Sequence, residues 1–226
     1  MSDHLQHELK KEFQLERMIL FSDAVFAIAI TLLAIEIKVP KLDRHAVTDG
    51  QLLHQLAEMI PEFIGFLVSF IIIGIYWTVH HRIFGYVINY NRRLLWMNLY
   101  FLLGVVLMPF SSAFYSQYIL SGVSTPVIVY CANIILLGGM NLAIWLYIKN
   151  PKRSLSTGID PLDSKYFIFR ALVPPLMFVV MAIVYANAPK AAFWIPICIP
   201  LVIRLAGPLF GKGRKPANRS DEARHP

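Results

Sequence analysis

Charge is scarce in this chain. Only 15% of its 226 residues are Asp, Glu, Lys or Arg, whereas 57% are hydrophobic, a balance outside the range of ordinary water-soluble domains. Long polar stretches are equally few, so no separate soluble domain is expected. Cysteine is nearly absent: Cys131 and Cys198 both fall inside apolar runs, which argues against a disulfide framework and for small core fillers. Neither has a Cys or His at the spacing of a zinc site, so no metal site is expected. No nucleophile with its base, phosphate-cradling loop or set of metal ligands can be read from the residues, and an enzyme is not expected. A folded basic surface is also missing, which removes nucleic acid from the expected partners, and nothing calls for a cofactor. The opening MSDHLQHELKKEFQLER is polar and of mixed charge, unlike a cleavable signal peptide. It reads as an amphipathic lead-in on one membrane face.

What the chain does have is apolar length. Stretches of about Met18 to Val39, Phe63 to His80, Leu94 to Phe114, Val127 to Ile148, Phe167 to Asn187 and Ala191 to Phe210 each approach the roughly 20 residues that a helix needs to cross a bilayer. Turn signals fall between them: Pro40, Pro61, Pro126, Pro151, Gly158, Pro161 and Pro189. The expected fold is all-α and polytopic, a six-helix membrane domain over 1–210 followed by a flexible basic tail over 211–226. Orientation follows from Lys and Arg, which favour the cytoplasmic side of short loops. All but Lys38, Lys41, Arg44 and Lys190 of the 21 basic residues fall on one side, which places both termini inside and the tail near anionic lipid. The net charge of +7 is thus a topology signal. The outer loop carries Asp43, Asp49, Glu58 and Glu62, either a plain solvated loop or an acidic mouth that concentrates cations.

The first span, RMILFSDAVFAIAITLLAIEIKVP from Arg17 to Pro40, holds an acid where acids are expensive. Asp23 lies at or just inside the lipid boundary, and an intramembrane carboxylate is a functional-site candidate that needs a partner. It equally suits a purely structural tie between helices. At 100° per residue, Ile28, Thr31, Leu32 and Ile35 share one face, and Asp23 points elsewhere. Such a stripe suits lipid or core as well as a pore. Val25 and Ile30 read as lipid-facing. At the depth of Ser22 and Asp23 the second and third spans add Trp77, His80, His81 and Asn98. Adjacent histidines point about 100° apart on a helix and suit hydrogen bonding to Ser22 or Asp23 better than a shared metal. Gly65 with Ser69, and Gly138 with Gly139, permit close helix approach, and Asn133 and Asn141 suit interhelical hydrogen bonds.

Arg17, Phe21-Ser22-Asp23, AIAITLL and Pro40, with YW and HHR in the second span and Asn98 in the third, resemble the R-x-x-x-F-S-D signature and its surroundings in the transmembrane protein 175 family, potassium channels outside the P-loop superfamily. The resemblance implies a channel permeable to potassium. A single copy of F-S-D resembles the prokaryotic one-unit branch, which implies a homotetramer around the first helix in a prokaryotic cell membrane. It further implies that Ile28 is the constriction, Thr31 a hydroxyl layer, and Leu32 and Ile35 further apolar rings. Arg17, Phe21, Ser22 and Asp23 are then expected to hold the inner end of the helix against Trp77, His80 and Asn98. No TVGYG-like segment occurs, so a carbonyl-cage filter is not expected. The expected partners are a second copy of the chain, membrane lipid and permeating potassium ions. A secondary transporter is the alternative, but the two triplets of spans share no visible repeat.

Overall fold

A computed structural model describes residues 2–42, 47–118, 121–192 and 194–210. The tail 211–226 and, in the outer loop, Asp43 and Arg44 lie outside the described residues. The chain is all-α, and six of its helical segments are long and apolar enough to cross a membrane. In order they are α1 (Ser2–Ile35), the short α2 (Asp49–Glu58), α3 (Ile60–Phe84), α4 (Arg92–Tyr118), α5 (Thr125–Ile148) and α6 (Pro161–Tyr185), then a broken sixth span. That last span runs as α7 (Pro189–Ala192), a 3-10 turn (Ile195–Cys198), α8 (Ile199–Ala206) and a second 3-10 turn (Gly207–Phe210).

Helix ends differ from the sequence expectation for local reasons. The lead-in contains no breaker, so it joins the first span in one 34-residue helix. That helix ends at Ile35 rather than Val39, where Ile37 N–H turns back to the Ala34 carbonyl ahead of Pro40. Pro61 and Pro126 sit in the first turns of α3 and α5, where no amide hydrogen is needed. Pro174 and Pro175 are carried inside α6. Pro189, Pro196, Pro200 and Pro208 recur through the sixth span, and each removes a donor, which is why that span is a series of short pieces. α2 was not expected: Thr48 accepts from Gln51 N–H, and the Gln51 side chain in return accepts from Thr48 N–H, a capping box.

α4 is the centre of the bundle, packed on α1, α3 and α5, with α6 against the other side of α5. Buried hydroxyls tie the middle of it. Ser112 donates to the Gly65 carbonyl, which leaves Ser69 to donate to Ser112 at 2.6 Å and Tyr130 to donate to Ser69 at 2.5 Å. Asn133 bonds Ser111 across α4 and α5 at 3.0 Å, but both polar atoms of the Asn141 side chain, expected to act likewise, are buried without a partner. Beyond the C-terminal ends of α3 and α5, Ile88 N–H meets the Leu155 carbonyl at 2.9 Å and Thr157 N–H meets the Tyr86 carbonyl at 3.1 Å, clipping the α3–α4 loop to the α5–α6 loop.

Two adjacent glycines have opposite surroundings. A methyl group on Gly138 would meet Pro175 Cγ at 2.7 Å and the Ala171 carbonyl oxygen at 2.8 Å, whereas one on Gly139 meets nothing within 4 Å. Gly138→Ala should therefore push α6 off α5 and destabilise the protein by about 1–3 kcal/mol, as overpacking does. Gly139→Ala should be neutral or stabilising through helix propensity. Thermal unfolding of the two variants in the same detergent tests this; equal midpoints would show that α5 and α6 are not in close contact there.

Candidate functional site

α1 packs along a single stripe. Leu15, Met18, Ser22, Phe26, Ala29 and Leu33 are buried, at the three- and four-residue spacing of one helix face. The opposite face is bare in the single chain: Ile28 is 59% exposed, Leu32 39% and Ile35 62%, with Thr31 exposed between them. Thr31 Oγ1 donates back to the Ile28 carbonyl at 2.8 Å, so the hydroxyl oxygen turns only acceptor lone pairs outward. Val25 and Ile30 are half-buried against the core, not lipid-facing as the sequence suggested.

The N-terminal part of the α1 span is anchored by two separate arrangements. In the first, Ser22, His80 and Asn98 are all buried, at 0%, 1% and 1% exposure. Ser22 Oγ donates to the Met18 carbonyl at 2.8 Å, so it must accept from Asn98 Nδ2, also at 2.8 Å. That orientation turns Asn98 Oδ1 toward His80 Nε2 at 2.8 Å. Oδ1 only accepts, so the hydrogen-bond pattern assigns the proton of His80 to Nε2. Every link has one donor and one acceptor, and α1, α3 and α4 meet in one polar chain inside an apolar shell. The His80 ring is stacked between Phe84, at 4.3 Å between ring centres, and Phe101, at 5.1 Å and nearly parallel.

The second arrangement belongs to Asp23. Its Oδ1 accepts from Trp77 Nε1 at 2.9 Å, at a half-open position where the indole is 39% exposed. His81 lies beside Trp77 at 5.6 Å between ring centres and is exposed. Adjacent in sequence, the two histidines thus face different surroundings, as the rotation along a helix requires. Of the residues expected around Asp23, only Trp77 hydrogen-bonds it; Asn98 bonds Ser22, and His80 bonds Asn98.

Arg17 and Phe21 do not join either arrangement, contrary to expectation. Phe21 is 53% exposed, and Arg17 is exposed with its guanidinium 5.9 Å from the exposed Phe13 ring. The reason is the helix period. Arg17, Phe21 and Ile28 are four and seven residues apart and lie on one face, while Ser22 and Asp23 turn away from it. The bare stripe therefore continues past Ile28 toward the N-terminus. Among the described residues no group of three or more His, Cys, Asp or Glu is placed to hold a metal.

One site residue escaped the sequence reading. Arg170 counted only as an inner-face charge, yet it lies within the fifth span, buried to 9% exposure, and donates to Thr78 Oγ1 at 2.8 Å. Its distance from the span's start at Ser164 was the available signal, since an ionisable residue inside a span is a candidate by default.

Residues 17–109 match the family described as endosomal/lysosomal potassium channel TMEM175. A potassium channel of Streptomyces collinus is 44% identical over 99 residues, which are 44% of this chain and 46% of that protein. A Gallus gallus protein named endosomal/lysosomal proton channel TMEM175 is 37% identical over 97 residues, 40% of this chain and 19% of that one. The aligned stretch thus spans less than half the length of these curated relatives. In fold, the chain is similar to the crystal structure of a lysosomal potassium-selective channel TMEM175 homolog from Chamaesiphon minutus, with a TM-score of 0.71 and 24% identity over 85% of this chain and 97% of that one. Residues 17–109, which carry Arg17, Phe21-Ser22-Asp23, Trp77, His80-His81 and Asn98, are thus the part of this multi-pass membrane protein that is similar to the TMEM175 family.

Proposed function

We propose that the chain is a potassium-permeable cation channel of the cell membrane, a homotetramer with four copies of α1 around the axis and both termini in the cytoplasm. The observation that carries this reading is the half-dressed first helix. Only 28% of its apolar stretch is buried, against 44–50% for α3 to α6; the sixth span is as bare, at 24%, but it is broken, whereas α1 is one continuous helix held by the buried Ser22–Asn98–His80 chain. A rigidly held helix with a bare, mostly apolar stripe is what one wall of a shared path needs. Closed cyclic symmetry is the ordinary way to complete it. The relatives' names, a potassium channel and a proton channel, support ion conduction and leave potassium and proton as the ions to compare.

In this arrangement Ile28 forms the narrowest ring, followed outward by the Thr31 oxygens and then by Leu32 and Ile35. An apolar ring sheds water when tight and passes partly dehydrated ions when slightly wider. Potassium gives up its water more readily than sodium, so a neck without a carbonyl cage favours potassium modestly. The Thr31 acceptors offset part of the lost hydration next to the neck.

Flux into liposomes holding the purified chain tests the reading, with potassium, sodium and proton gradients applied in turn and particle mass measured in mild detergent. The expected results are unsaturating potassium flux with less sodium flux, and a mass of four chains. Saturable, coupled uptake would instead mark a secondary transporter, and a monomer in mild detergent would remove the shared axis.

A further inference from the structure

Arg170 is buried in the span beyond what its neighbours satisfy. It sits six residues past Ser164, about 9 Å along the helix. One terminal nitrogen reaches Thr78, and the Tyr166 side chain, its ring centre 5.7 Å from the guanidinium, hydrogen-bonds it as well, but Nε is buried with no acceptor. The positive charge of Arg82 adds repulsion. Arg170 opens onto a cavity of about 560 Å³ where α3, α6 and α8 meet, and Arg204 stands at its exposed rim. No carboxylate lines this cavity among the described residues. A buried guanidinium facing other cations is costly until an anion joins it.

A second, almost wholly apolar groove of about 280 Å³ shares Ile71 and Pro200 with the first and continues past Leu67 to Ile64 and Trp194. From Thr78 to Ile64 along α3 is about 21 Å, comparable with an extended fatty acyl chain. The basic cavity lies toward the inner helix ends, where Arg82, Arg170 and Arg204 collect, and the apolar groove leads from it toward the membrane centre. A phosphate with an attached hydrocarbon chain matches both parts. The planar guanidinium fork suits phosphate oxygens, and basic pockets between spans on the cytoplasmic side suit lipid headgroups.

We propose that the cavity between α3, α6 and α8 binds an anionic phospholipid of the inner leaflet, its phosphate held by Arg204 and the guanidinium of Arg170 and one acyl chain laid in the groove past Ile71 and Pro200. This site is separate from the α1 stripe and holds whether or not the chain conducts ions. Retention of phosphatidylglycerol and of phosphatidylcholine by the delipidated, purified protein would be compared by native mass spectrometry and by thermal unfolding, with inorganic phosphate as a third arm. Phosphatidylglycerol should be retained at one site per chain and raise the unfolding midpoint, while phosphatidylcholine and inorganic phosphate should not. Arg204→Gln, at an exposed position, should weaken phosphatidylglycerol binding about tenfold, the scale of one charge-assisted bond. Arg170→Gln should abolish binding. It also cuts the tie to Thr78, so Arg170→Lys, which keeps the charge but not the fork, is the second variant and should bind more weakly than the parent. Equal retention of both lipids, unchanged binding in Arg204→Gln, or an equal midpoint shift with inorganic phosphate alone would each overturn the assignment.

Discussion

Ile28→Asn should raise cation conductance several-fold and lower the preference for potassium over sodium, measured as paired fluxes in liposomes at equal protein content. In a tetramer built on α1 the substitution changes four side chains at one level. It removes an apolar ring whose side chain is 59% exposed in the single chain and so has little intrachain packing to lose. The amides stand in for the water that an ion gives up, which removes the barrier and with it the advantage of the more easily dehydrated ion. The proper control is an exposed apolar residue on a helix away from α1. Ile183 on α6, 65% exposed, serves, whereas Val25 and Ile30 are packed against the core and would report on stability instead. Unchanged conductance and ion preference in a tetrameric Ile28→Asn protein would mean that this face of α1 meets lipid and not ions.

The stripe was legible in the sequence because it depends only on spacing along one helix. Ile28, Thr31, Leu32 and Ile35 share a face by the 3.6-residue period, and the structure leaves that face bare. Apolar length carried the six spans, since it does not depend on what packs where. The partners of Ser22 and Asp23 were legible as a set but not as pairs. Neighbouring positions one residue apart point in directions about 100° apart, and which of them meets α4 and which meets Trp77 depends on how the three helices cross. That is why Asn98 appeared beside Asp23 in the sequence reading and bonds Ser22 in the structure.

Arg17 and Phe21 show the opposite failure. Their period already set them on the Ile28 face, but their place in the F-S-D signature suggested a role at the packed inner end. The geometry follows the period. α2 was readable from Thr48 and Gln51 as a capping box and from Leu52, Leu53 and Leu56 at helical spacing, but its ten residues are too few to cross a bilayer, and a reading by apolar length passes over them. The broken sixth span was half-visible: its prolines predicted irregularity, but not the 3-10 turns that reconnect the pieces.

Asn98→Ala should disrupt the protein more than any change at Asp23. It removes the link that uses both ends of one amide, so His80 Nε2–H loses its acceptor and Ser22 Oγ loses its donor, both in sites at 1% exposure or less. Each buried orphan costs about 1–3 kcal/mol, and the truncated side chain leaves a void between α1, α3 and α4 in addition. Against a total stability of about 5–15 kcal/mol, that sum is enough to lower the yield of assembled protein sharply. Asp23→Ala deletes a single bond to Trp77 Nε1, and the indole is 39% exposed, so it can find another acceptor at the membrane surface. The expected order of unfolding midpoints is parent, then Asp23→Ala, then Asn98→Ala, with assembled yield in the same order and ion preference unchanged in whatever protein assembles. An Asp23→Ala protein that assembles normally but changes which ion passes would put the carboxylate on the ion path and rotate α1 away from the orientation described above. An Asn98→Ala protein as stable as the parent would mean that the buried chain from Met18 to His80 contributes nothing to holding the first helix in place.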